Sequence, residues 1–161
     1  MVKYSIRMIL MLILIAILMS AATTSTEKTL YPINVNGFWG YIDSSGSVMV
    51  EPEFDYAYPF VNGFGIIQTG TGDNAKYGYV NSIGEVIVNP KFKKAFDFTE
   101  YGARVKLGNK YGYINENGTF LINPAYSDAG DFSEGMAWVL KDGYYGFIDS
   151  SGNMAIQPEF L

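Results

Sequence analysis

From Leu30 onward, short runs rich in β-branched and aromatic residues are broken by polar turns, and no stretch keeps a helical spacing of apolar positions. That pattern predicts β-strands joined by tight connections. Four of the runs open alike: Trp39-Gly40-Tyr41-Ile42-Asp43, Tyr77-Gly78-Tyr79-Val80-Asn81, Tyr111-Gly112-Tyr113-Ile114-Asn115 and Tyr145-Gly146-Phe147-Ile148-Asp149. Each copy carries a second Gly six residues after the first (Gly46, Gly84, Gly118, Gly152) and a Pro twelve residues after it (Pro52, Pro90, Pro124, Pro158). Offsets that agree at several positions at once define a repeat array.

The motif-to-motif spacings are 38, 34 and 34 residues, and the longer first interval is accounted for by a Gly/Asn-rich loop over residues 69–75. Within a unit, Asp or Asn opens a four-residue turn that ends in Gly, as in Asp43-Ser44-Ser45-Gly46. This predicts a hairpin turn whose first side chain accepts from the backbone two residues on and whose Gly takes a left-handed conformation. The second strand follows (Val48-Met49-Val50 and its counterparts), and the recurring Pro, which has no N–H to donate, is expected to close it. Next comes a connector with aromatics at fixed offsets. Phe54, Phe92, Tyr126 and Phe160 are followed in three units by Ala57, Ala95 and Ala129, then by Phe60, Phe98 and Phe132. Such aromatics read as plugs into the core. A third strand contains Gly65-Ile66-Ile67, Ala103-Arg104-Val105 or Ala137-Trp138-Val139, and Leu30 to Val35 supplies the first of its kind. The expected fold is all-β: four three-stranded antiparallel units over about residues 30–54, 63–92, 101–126 and 135–160, arranged as a propeller-like ring or an open curved array.

The N-terminus has a different character. Lys3 and Arg7 precede an unbroken apolar run from Met8 to Met19, then Ser20-Ala21-Ala22. A short positive segment, an apolar stretch and small residues predict an export signal over residues 1–22, ahead of one domain over residues 23–161. Left uncleaved, residues 6–19 would be the chain's contact with a membrane. Either way the expected location is extracytoplasmic: secreted, periplasmic or at the cell surface.

Neither Cys nor His occurs in the 161 residues. Their absence removes disulfides, thiolate and imidazole metal sites, and the Ser-His-Asp and Cys-His triads. With carboxylates, Lys, Tyr and hydroxyls left for catalysis, the chain is expected to be non-enzymatic, with no cofactor and no metal. Without Lys3 and Arg7, nine basic residues face sixteen acidic ones, a net charge of −7. Nucleic acid is therefore not an expected partner, the single basic run being Lys91, Lys93 and Lys94.

These units resemble the WG repeat family, through the aromatic-Gly dipeptide (Trp-Gly itself at Trp39-Gly40), the Tyr-Ile-Asp after it, the turn Gly, the Pro-x-aromatic, and Phe132-Ser133-Glu134-Gly135-Met136-Ala137. The resemblance spans nearly all of residues 31–160 and implies a β-repeat scaffold, often on envelope or secreted proteins, with no catalytic residues to carry over.

In a repeat protein, a residue present in every unit is most simply explained by the scaffold. Trp39, Gly40, Tyr77, Gly78, Tyr111, Gly112, Tyr145 and Gly146 are accordingly read as scaffold, and the turn Asp and Asn residues as turn chemistry rather than calcium ligands. Positions that differ between units are the better candidates for contact with a partner. Ile66, Arg104 and Trp138 share one offset and are expected to be exposed for that reason. Arg104, Trp138, Tyr56, Tyr58, Tyr101, Tyr126, Tyr144 and the 69–75 loop have the composition of an interaction surface. The leading expectation is a binding or scaffold module whose partner is an unknown protein or glycan of the cell envelope. The alternatives are a purely structural or truncated repeat segment, and a carbohydrate-active enzyme using Glu51 and Glu53 beside Pro52.

Overall fold

The computed structural model describes residues 29–161, so the expected signal segment lies outside the described residues. Among the described residues no helix is long and apolar enough to cross a membrane. Among the described residues, fifteen strands form four antiparallel sheets in which chain neighbours pair, and none of these sheets closes into a barrel. The first sheet holds β1 (Tyr31–Val35), β2 (Phe38–Ile42) and β3 (Val48–Phe54). The second holds β4 (Tyr56–Ala57), β5 (Phe64–Thr69), β6 (Lys76–Asn81) and β7 (Val86–Phe92). The third holds β8 (Lys94–Thr99), β9 (Gly102–Leu107), β10 (Lys110–Ile114) and β11 (Phe120–Tyr126). The fourth holds β12 (Asp128–Ala129), β13 (Met136–Lys141), β14 (Tyr144–Asp149) and β15 (Met154–Phe160).

Two expectations are corrected. The last three sheets have four strands, not three, because the connector after each Pro-x-aromatic turns into β4, β8 or β12 and pairs with the next sheet. A connector lying against a buried face must satisfy its amides. Asp55 and Tyr58 donate theirs to Gln68 and Ile66, and Ser127 and Gly130 to Leu140 and Trp138. The Pro does not close its strand either. β3 runs through Pro52, and the register passes from Trp39↔Phe54 to Tyr41↔Val50, so the chain bulges around the Pro. A bulge is where a residue without an N–H is tolerated in a ladder.

That bulge also explains the motif glycine. A Cβ on Gly112 would stand 2.5 Å from the Ile122 carbonyl oxygen, and one on Gly146 2.7 Å from that of Ile156. Only a residue without a side chain lets the arching strand come this close.

The core lies between successive sheets. One buried cluster joins Tyr41, Val50 and Phe54 of the first sheet to Ala57, Ile67 and Val80 of the second. A second joins Tyr79, Val88 and Phe92 to Ala103, Val105 and Ile114, and a third joins Tyr113, Ile122 and Tyr126 to Ala137, Val139 and Ile148. The aromatic plugs sit at these junctions: the rings of Phe60, Phe98 and Phe132 lie 5.0, 5.1 and 4.7 Å from those of Tyr41, Tyr79 and Tyr113.

Candidate functional site

The second aromatic of the first three motifs fixes one sheet to the next. The Tyr41 hydroxyl donates to the carbonyls of Tyr58 and Ile66, at 2.7 and 3.0 Å. That of Tyr79 donates to Phe96 at 2.7 Å, and that of Tyr113 to Gly130 at 2.7 Å. Burial pushes all three phenols well above the ordinary tyrosine range. These hydroxyls stay protonated donors to backbone carbonyls, a structural task. In the fourth copy the position is Phe147, half-buried and without a hydroxyl.

The turn residues are likewise engaged. Asp43, Asn81, Asn115 and Asp149 each accept at Oδ1 from the amides two and four residues on, at 2.8 to 3.2 Å. The Asn153 amide, aided by its side chain and by the Ser151 and Gly152 amides, holds the Asp149 carboxyl below the usual carboxylate range. Among the described residues no group of His, Cys, Asp and Glu is placed to hold a metal ion. Glu51 and Glu53 are both exposed on β3, on either side of the bulged Pro52.

The candidate contact residues fall in several places. Tyr56 is exposed and Tyr58 half-buried. Their rings lie 4.7 Å apart and continue a ladder from Trp39 (4.9 Å from Tyr56) to Tyr77 (6.4 Å from Tyr58). Tyr144 is exposed at the start of β14. Tyr101 lines an open cleft of about 630 Å³ with Glu100, Glu116, Glu134 and the rings of Phe64, Phe98 and Phe132. The hydrogen bond to Glu100 raises its hydroxyl above the ordinary value. The 69–75 loop is exposed around the short 3-10 turn Gly72–Asn74 and buries Ala75. Tyr126, by contrast, is part of the core between the third and fourth sheets.

The Ile66, Arg104 and Trp138 position is not the free surface expected. Ile66 is 8% exposed, and the Arg104 side chain 12%. Each lies beside the residue eight earlier in the chain, on the fourth strand of its own sheet or just past its end, and the pairs complement one another. Tyr58 stands with Ile66. Phe96 carries the Arg104 guanidinium 3.6 Å from its ring centroid, and Gly130 leaves room for Trp138, whose indole a Cβ there would strike. The position varies because its neighbour varies. Pairing these offsets within the chain was the signal available in the sequence.

Arg104 is the most fully held charged group at the site. Its guanidinium lies between the rings of Phe96 and Tyr111, at 3.6 and 5.8 Å, and donates to Asp131 at 2.9 and 3.2 Å and to the Ala129 carbonyl. It joins the third sheet to the fourth, through a planar cation, two rings, a carboxylate and a carbonyl.

A family model described as WG containing repeat matches the chain over residues 39–70, 77–111, 111–145 and 145–160. No curated protein and no solved structure matches.

Proposed function

This chain belongs to the family of WG-containing repeat proteins, and on that premise we propose that it is an exported, non-enzymatic module that binds or scaffolds at the bacterial cell envelope. One observation carries the reading. The hydroxyls that recur at one offset in the first three units, those of Tyr41, Tyr79 and Tyr113, are engaged in holding the sheets, whereas Tyr56, Tyr58, Tyr101 and Tyr144 sit in surroundings that differ from unit to unit. A scaffold that repeats and a surface that does not is the division a binding repeat protein needs. We read the four sheets as an open curved array, since the outward faces of the first and last keep Tyr31, Val48, Ile156 and Phe160 exposed. Export is inferred from Lys3, Arg7 and the apolar run to Met19.

The test has two arms. Fractionation of cells expressing the full-length chain is expected to place it outside the cytoplasm, and a fully cytoplasmic product overturns the export reading. Arrays of envelope glycans and peptides probed with the purified protein are expected to give a specific ligand. Absence of any ligand tighter than about 1 mM, some 4 kcal/mol, removes the binding reading. A second reading, a structural segment of a longer array, is favoured by the exposed Tyr145, Ile156 and Phe160, whose counterparts at the inner junctions are covered or partly covered by a following sheet.

A further inference from the structure

We infer that the cavity between the second and third sheets is an unfilled arginine slot, which takes the guanidinium of an arginine side chain presented by a partner peptide. The template is inside the molecule. At the next junction along the chain, Arg104 fills such a slot from β9, with Phe96 and Tyr111 as its walls, the Ala129 carbonyl as acceptor and Asp131 as counter-ion. One repeat earlier every counterpart but the cation is present. Tyr58 and Tyr77 stand where Phe96 and Tyr111 stand, Ala95 where Ala129 stands, and Asp97 where Asp131 stands.

The walls also agree in geometry. The Tyr58 and Tyr77 rings are 6.4 Å apart and inclined by 51°, against 6.5 Å and 43° for Phe96 and Tyr111. At the position of Arg104 stands Ile66, too short to reach across. What remains is a cavity of about 260 Å³ lined by Tyr58, Ile66, Tyr77, Lys94, Ala95 and Phe96. Asp97 is exposed and makes no ion pair among the described residues. The slot differs from its template in three unfavourable respects: Lys94 stands on its rim where the filled slot has Asp128, Phe96 lines it where the filled slot has Gly130, and Asp97 lies outside its lining. Lys94 is exposed, so its repulsion is screened and weakens the site without closing it.

A planar cation with several donors fits aromatic walls, a carbonyl and a carboxylate together, and an ammonium group fits them less well. This assignment deepens the binding-module reading by naming a ligand group, but it needs neither export nor an envelope location.

The experiment titrates the full-length chain with the capped peptide Gly-Arg-Gly, its Lys and citrulline counterparts, and a uronic-acid trisaccharide, following backbone amide shifts. The Arg peptide is expected to saturate shifts at Tyr58, Ile66 and Ala95, and the Lys and citrulline peptides to bind at least about fivefold more weakly. Lys94→Asp should tighten the Arg peptide several-fold. Ile66→Arg fills the slot from within and should abolish binding, while Tyr77→Leu provides the same loss should that variant fail to fold. Arg104→Ile empties the template and should add a second set of shifts around Ala129, for two peptides per chain. Saturation by the trisaccharide but not the Arg peptide overturns the inference. So does unchanged Arg-peptide binding in both Ile66→Arg and Tyr77→Leu. A glycan found on the arrays with no response to arginine would sink the slot and leave the binding module standing.

Discussion

The hairpins of β10–β11 and β14–β15 carry the same motif in opposite surroundings. In the third sheet Ile122 and Tyr126 are 8% and 6% exposed, because the fourth sheet packs over them. Their counterparts Ile156 and Phe160 are 41% and 55% exposed. The aromatic of the third hairpin is Tyr113, whose hydroxyl crosses to the fourth sheet, and that of the last is Phe147, which has no donor. The features common to both hairpins, the motif Gly and the Asn or Asp turn, belong to the hairpin itself. The features that differ belong to the junction. One motif thus encodes two things, a folded hairpin and a face that another sheet covers.

The comparison is attacked most severely through the shared glycine. Gly112→Ala pushes a methyl group into the Ile122 carbonyl and is expected to cost about 3 kcal/mol or more. Gly146→Ala meets the Ile156 carbonyl in the same way, so thermal or denaturant unfolding should show a loss within about 1 kcal/mol of it. A harmless Gly146→Ala would mean that the glycine serves the junction and not the hairpin. The next substitution separates the two faces. Ile122→Ala is expected to cost about 2 to 4 kcal/mol, whereas Ile156→Ala, on an open face, should cost well under about 1 kcal/mol. Equal losses would show that the last face is covered in solution.

The crossing hydroxyls give a pH-dependent version. Tyr41, Tyr79 and Tyr113 have raised phenol pKa values when folded, through burial. The folded chain therefore holds protons that the unfolded chain releases above about pH 10. Stability from these groups is complete below that pH and falls as the pH rises through the folded values. Tyr113→Phe is expected to cost about 1 kcal/mol at neutral pH, since the Gly130 carbonyl loses its donor, and to flatten the alkaline loss. Phe147→Tyr, with no sheet to reach, should change neither. Denaturant midpoints between neutral pH and about pH 11 read both effects.

Much of this division was legible in the residues. The hairpin turns, the glycine positions and the plugging rings of Phe98 and Phe132 follow from fixed offsets and turn chemistry. The fourth strands were not legible. β4 and β12 are two residues long and begin with Tyr56 and Asp128, and nothing in such a segment announces a ladder until the neighbouring edge is known. The place of Pro52 is hidden for a related reason: its missing N–H excludes it from a regular ladder, but a bulge removes the need for one. Arg104 shows that variation at a repeated position need not mean exposure. Its identity is set by Phe96, Ala129 and Asp131, which lie on two different sheets, and only the folded junction brings them together.

The mildest test concerns the turns, whose first residues differ by one side-chain atom. Asn115 opens one turn and Asp149 the other, and both accept from two backbone amides. The charge of Asp149 strengthens those bonds, and its carboxyl is held below the usual range chiefly by the Asn153 amide, with burial opposing. A depressed folded pKa means that the stabilisation is present above the unfolded carboxylate value and is lost as the pH falls through the folded one. Asp149→Asn should therefore lower the unfolding midpoint slightly at neutral pH and leave it equal to that of the parent well below about pH 4. Asn115→Asp should do the reverse, adding a small stabilisation that disappears in acid. If Asp149→Asn is neutral at every pH, the two turns are equivalent, and the difference between the hairpins lies entirely in the face that the fourth sheet leaves uncovered.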